Sequence, residues 1–211
     1  MRRLLLVLVT TVIAASSAAA QEVGIYSAAH SVSLEELQDL RGYGGHALLF
    51  TPGLNVRFSI YSQSATTVKD SRTCHVIFPP SNCTDETVTR ESRLRGVILA
   101  AAVPIMPQRQ LQFELGAGAS FNLLDASDSV PSGRRSPLIT SDGGQLGALF
   151  TAGVRLQPLR SVPVVLHALG GSHFIRMTAC GEYAWNDDPF CGIIGVHELR
   201  LGIGYLIRHG P

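Results

Sequence analysis

Residues 111–123 read LQFELGAGASFNL, and this stretch decides the fold class. Leu111, Phe113, Leu115, Ala117, Ala119, Phe121 and Leu123 occupy one parity, against Gln110, Gln112, Glu114, Gly116, Gly118, Ser120 and Asn122 on the other. Successive side chains of a strand point to opposite faces, so the segment predicts a β-strand with one wholly apolar face. The pattern recurs twice. Leu146, Ala148, Phe150, Ala152, Val154 and Leu156 alternate with Gln145, Gly147, Thr151, Gly153 and Arg155. Leu199, Leu201, Ile203, Tyr205 and Ile207 alternate with Glu198, Arg200, Gly202, Gly204 and Arg208.

Working outward, HALLFTPGLNVRFSI (46–60) places apolar Leu48, Phe50, Leu54, Val56, Phe58 and Ile60 at even positions and Thr51, Asn55, Arg57 and Ser59 at odd ones. Pro52-Gly53 reads as a two-residue hairpin turn, and the parity is expected to continue across it. Leu94–Val103 and Val164–Ile175 are strand-like but apolar on both parities, which leaves their inward face open. Val23–Leu34 is a weaker eighth strand, and LEELQDL (34–40) fits a short helix equally well because its leucines fall at helical spacing.

The connectors alternate in length. Long segments (Glu35–Gly42, Gln63–Glu91, Asp125–Gly143, Met177–Ile194) take turns with short ones (Pro52-Gly53, Pro104–Arg109, Gln157–Ser161). An antiparallel up-and-down meander of eight strands gathers all long loops at one end, with both termini at the other.

The chain has 211 residues, 45% hydrophobic and 16% charged, with 17 Lys+Arg against 16 Asp+Glu and a pI near 7.8. That composition describes a folded protein and lacks the basic footprint of a nucleic-acid binder. Residues 1–20 carry Arg2 and Arg3, the apolar run LLLVLVTTVIAA and the small-residue ending SSAAA. This is the layout of a secretory signal peptide cleaved after Ala20, with an apolar core shorter than the ~20 residues that span a bilayer. Residues 21–211 then form one exported β domain. If it enters a membrane, it does so by strands.

Export favours disulfides for the four cysteines. Cys74 and Cys83 close one short polar segment, and Cys180 and Cys191 close another, so local pairing is preferred over the two alternative connectivities. A zinc site drawing on His75 and the thiols is disfavoured because no C-x2-C spacing exists. We expect no metal and no cofactor.

The signal peptide, the eight alternating strands and the long and short connectors together make the chain similar to the small outer-membrane β-barrels of Gram-negative bacteria, the OmpA/OmpX type. The resemblance implies an all-β, eight-stranded antiparallel up-and-down transmembrane barrel in the cell outer membrane, monomeric, with lipid around it and outer loops free to meet surface ligands. One departure is visible at the end of the chain. The family usually ends on an aromatic residue, whereas here Tyr205 is followed by Ile207, Arg208, His209, Gly210 and Pro211. The rival reading is a soluble periplasmic lipocalin-like barrel, whose apolar parity would face inward around a small ligand. The polar parity is rich in glycine and sparse in charge, which suits a lumen better than a water-facing wall.

In the membrane reading Arg57, Glu114, Arg155, Glu198 and Arg200 project into a narrow lumen, where unpaired charge is costly, so a lumen ion-pair network is expected. Eight strands leave an interior that side chains fill, which argues against an open pore. A lipid-modifying hydrolase is the remaining alternative, resting on His167, Ser172 and His173. His167 and His173 lie about 20 Å apart along a strand, and Ser172 and His173 face opposite ways, so no catalytic role is expected. The loop 180–191 carries Tyr183, Trp185 and Phe190 with Glu182, Asp187 and Asp188, a composition suited to the headgroup level or to loop packing.

Overall fold

A computed structural model describes residues 22–32, 39–51, 53–75, 82–106, 110–129, 135–140, 144–176 and 193–207, with the backbone alone described for 71–75, 82–86 and 135–140. The leader 1–20, most of the helical alternative at 34–40 and the loop bearing Cys180 and Cys191 lie outside the described residues.

The described strands are β1 (Glu22–Val32), β2 (Leu40–Thr51), β3 (Leu54–His75), β4 (Asn82–Ile105), β5 (Leu111–Ser129), β6 (Arg135–Thr140), β7 (Gln145–Leu156), β8 (Val164–Arg176) and β9 (Ile193–Leu206). Each pairs antiparallel with its neighbours, and β1 pairs with β9 while β4 pairs with β5. Eight strands therefore close into an up-and-down ring, in which β5 passes directly to β7. The short β6 stands outside the ring, paired only with the far end of β5. Within the ring, closure gives each strand a partner on both edges, as a barrel requires.

Gly53 adopts φ 81°, which an L side chain rarely tolerates, and so fits the tight turn between β2 and β3. That turn does not carry the parity through. Thr51 pairs with Leu54, so every pair of this hairpin joins an odd and an even position: Leu48 faces Arg57 and His46 faces Ser59. Paired residues share a face, and Leu48 is fully buried on the lumen side while Leu54 and Ile60 lie on the outside.

The two strands of open parity resolve as well. Leu94, Ile98 and Ala100 of β4 and Val165, Leu169 and His173 of β8 point inward. The weak candidate β1 is a full ring member whose Glu22, Tyr26, Ala28 and His30 point inward.

The expected loops at 63–91 and 125–143 are largely strand. β3 and β4 remain paired from Asn55↔Ala102 out to His75↔Asn82, about 35 Å of strand beyond the last β2 partner, Ser64. With β5 and β6 they form a four-stranded flap above the long-loop rim. Arg90 clasps Asp128 there through Nε at 2.7 Å and Nη2 at 2.8 Å.

The outer wall is apolar. Along β9, Leu199, Leu201, Ile203 and Tyr205 are all more than half exposed. The uncharged outward run Leu111–Leu123 of β5 covers about 30 Å in height when tilted by ~40°, enough for the ~25 Å apolar band of a membrane barrel. Charge returns toward the rim, where Arg95 lies 3.6 Å from Asp125 with both side chains about half exposed.

Candidate functional site in the barrel lumen

The inward parity brings charged residues into a space that eight strands leave narrow. Two tyrosines take up much of the middle. Tyr26 stands across from Gly44 and Tyr61 across from Gly96. A Cβ on Gly44 would meet Tyr26 Cζ at 2.4 Å, and one on Gly96 would meet Tyr61 Oη at 2.8 Å, so these glycines are what let the rings lie flat inside.

Around the rings, Arg57, Glu114, Arg155, Glu198 and Arg200 are each 9% exposed or less. Arg57 Nη2 donates to Glu114 Oε2 at 2.8 Å, and Asn55 Nδ2 donates to the other oxygen at 3.3 Å. Arg200 Nη2 donates to Glu198 Oε2 at 2.7 Å and its guanidinium lies 5.0 Å from the centre of the Tyr26 ring. Arg155 finds its carboxylate elsewhere, on Glu22 Oε2 through Nε at 2.9 Å and Nη2 at 2.8 Å, while its Nη1 reaches Gln112 at 3.1 Å.

Glu22 is the member the sequence reading missed, because it opens the strand with the weakest alternation. A signal was present: three inward arginines were matched to only two glutamates, and a low-dielectric lumen calls for a third.

Histidines complete two rings of side chains at different heights. Toward the short-turn end, His46 Nε2 at 3.2 Å and His167 Nε2 both meet Glu22 Oε1. Toward the long-loop end, His30 Nε2 lies 2.7 Å from Glu198 Oε2 and its Nδ1 meets Gln63 Oε1. His173 is fully buried beside them, stacked on His30 at 6.5 Å and 4°, with neither ring nitrogen hydrogen-bonded to any described residue. Between the rings Tyr26, His46, Arg57, Ser59, His167 and Arg200 line a gap of about 20 Å³ for the centre of a water-sized sphere, room for about one water molecule. Above the upper ring, Leu40, Leu94, Leu124, Ile175, Ile194 and Val196 pack into an apolar layer under the long-loop rim.

Of the residues considered for hydrolysis, His167 and His173 fall into separate rings. Ser172 faces outward, where its Oγ lies 3.0 Å from Nδ1 of His197. Among the described residues no carboxylate orients His197, so the pair lacks the third group of a triad. Cys74 is the direct backbone partner of Cys83 at the tip of the β3–β4 hairpin.

No family model matches the sequence, and no curated protein matches it. The fold does have counterparts among solved structures. A major outer-membrane protein from Thermus thermophilus superposes with a TM-score of 0.54 at 11% identity, over 88% of this chain and 99% of that one. Ail, the attachment invasion locus protein of Yersinia pestis, gives a TM-score of 0.51 at 12% identity, over 88% of this chain and 97% of that one.

The fold is that of the small outer-membrane β-barrels. At this identity the likeness concerns backbone architecture and carries no residue of the lumen with it.

Proposed function

We propose that the chain is exported, loses residues 1–20 and resides in the cell outer membrane as a monomeric barrel with a side-chain-filled lumen and a structural or surface-interaction role. The observation that carries this reading is the inversion of the ordinary soluble pattern. Leucine, isoleucine and phenylalanine cover the wall, while three glutamates and three arginines pair inside. A water-facing wall of this composition would be a large exposed apolar patch, and in lipid it is the stable arrangement. The lipocalin-like alternative needs the apolar parity inside, opposite to what β5, β7 and β9 display.

The lumen pairs brace the barrel rather than conduct, since Tyr26, Tyr61 and the charged rings occupy the path. Specificity then lies outside, on the flap of β3, β4, β5 and β6 and on the outer loops, with disulfides Cys74–Cys83 and Cys180–Cys191 stiffening both. A cross-strand position suits the first bond, and two residues closing short loops suit the second. No catalytic turnover is part of this reading; among the described residues the outward Ser172–His197 pair has no orienting acid.

Cell fractionation with a gel-mobility assay tests the placement. The expected outcome is recovery in the outer-membrane fraction with a heat-dependent mobility shift, and planar bilayers should show little steady conductance. Recovery as a freely soluble periplasmic protein, or large stable single-channel currents, would overturn it. Non-reducing peptide mapping should find the two local cysteine pairs; cross-pairs such as Cys74 with Cys180 would refute the loop assignment.

A further inference from the structure

We propose that the upper ring of the lumen, His30, His173 and Glu198, is a binding site for a divalent transition-metal ion of the zinc class. The three residues come from β1, β8 and β9, each offers a nitrogen or oxygen ligand atom, and these atoms lie within 4.8 Å of one another. Two imidazoles and one carboxylate suit zinc and its first-row neighbours, with water completing the coordination.

His173 is the first reason to place an ion there. It is fully buried, and among the described residues both of its ring nitrogens are without partners. A buried imidazole that makes no hydrogen bond is costly, and such orphans in a folded protein call for an unseen partner. Glu198 Oε1 is a second orphan in the same ring, since Arg200 engages only Oε2.

His30 supplies the second reason. Its Nδ1 meets the Gln63 side-chain amide and its Nε2 faces the Glu198 carboxylate, so the ring is held with Nε2 toward the cluster. Nε2 stands 2.7 Å from Glu198 Oε2, so an imidazole nitrogen and a carboxylate are side by side as ligands. A hydrogen bond between His30 and Glu198 accounts for that pair alone and leaves His173 and Glu198 Oε1 unpartnered among the described residues. A metal ion gives both a partner and takes His30 as its third ligand. The Gln63 contact is then the outer hydrogen bond that fixes the tautomer and orientation of a metal-bound histidine.

The lower ring is the built-in control. It has the same residue types, Glu22, His46 and His167, also close enough to hold an ion. There both carboxylate oxygens are engaged, with both Nε2 atoms on Oε1 and Arg155 on Oε2.

The untagged chain refolded in detergent with Zn(II), then desalted, provides the test; folding is verified by the heat-dependent mobility shift. The expected result is about one retained zinc per barrel, as for a three-ligand site. His173→Leu should abolish retention, His46→Asn should leave it, and Gln63→Leu, a positioning change, should weaken zinc binding by about 10- to 100-fold. X-ray absorption on the zinc-loaded wild type, which needs no variant, should show two imidazole ligands. No zinc retained by folded wild type, equal retention by His173→Leu, or a zinc shell without imidazole would each overturn the proposal. These outcomes concern the lumen alone and are separate from whether the barrel fractionates with the membrane.

Discussion

The lumen contains two rings of the same composition, a glutamate between two histidines with an arginine alongside, and they differ in how fully the carboxylate is used. Around Glu22, both histidines share one oxygen and Arg155 grips the other through two nitrogens. Around Glu198, Arg200 and His30 crowd one oxygen while the other oxygen and His173 have no partner among the described residues. Identical residue types thus make a closed brace at one height and an open coordination sphere at another. Composition does not distinguish a structural cluster from a binding one; the unspent lone pairs do.

The largest effect should follow from Glu22→Ala. It leaves Arg155 buried without its carboxylate and deprives two histidines at once, and breaking a buried pair from one side costs about 3–5 kcal/mol. Urea unfolding of the refolded barrel should show that loss, and a cost below about 1 kcal/mol, the scale of an exposed pair, would mean that the closed ring is not a brace. Glu114→Ala should follow at about 3 kcal/mol. It strands Arg57, which borders the water-sized gap and can be partly rehydrated. An effect larger than that of Glu22→Ala would reverse the ranking of the two pairs.

The smallest effect separates the rings most sharply. His167→Leu takes a partner from a fully used carboxylate and should cost about 1–3 kcal/mol. His173→Leu, measured without metal, removes an imidazole that bonds to nothing and should be near neutral or slightly stabilising. Equal costs for the two substitutions in metal-free unfolding would erase the distinction between a closed and an open ring.

The inward charges are readable in the sequence because Arg57, Glu114, Arg155, Glu198 and Arg200 sit on the polar parity of strongly alternating strands. Glu22, His30 and His46 are not. Glu22 and His30 belong to β1, where Ser27 and Ser31 face outward and Ala28 faces inward, so alternation is weak. His46 shares its parity with Leu48 and Phe50, whose apolar character points to the outside. Phe50 nevertheless lies on the lumen side, with the Arg155 guanidinium 4.6 Å above its ring. The long connector at 63–91 misleads for a different reason. The flap extends past the ring and encloses no lumen, so β3 and β4 carry Thr, Ser, Asp and Arg on both faces there and lose the period-two signal that marks the wall.

The sequence by itself determined the strands of the wall, their up-and-down order and, along β5, β7 and β9, which parity is apolar. Those properties are set by local periodicity and connector length. Only the tertiary structure decided which carboxylate meets which cation, since Arg57 and Glu114 are 57 positions apart and His30 and Glu198 are 168 apart. It also fixed the parity switch at Gly53 and the separation of His167 from His173 into different rings. The physical reason is closure. Once β1 pairs with β9, lumen partners are set by register around a ring, a long-range quantity that no window of sequence contains.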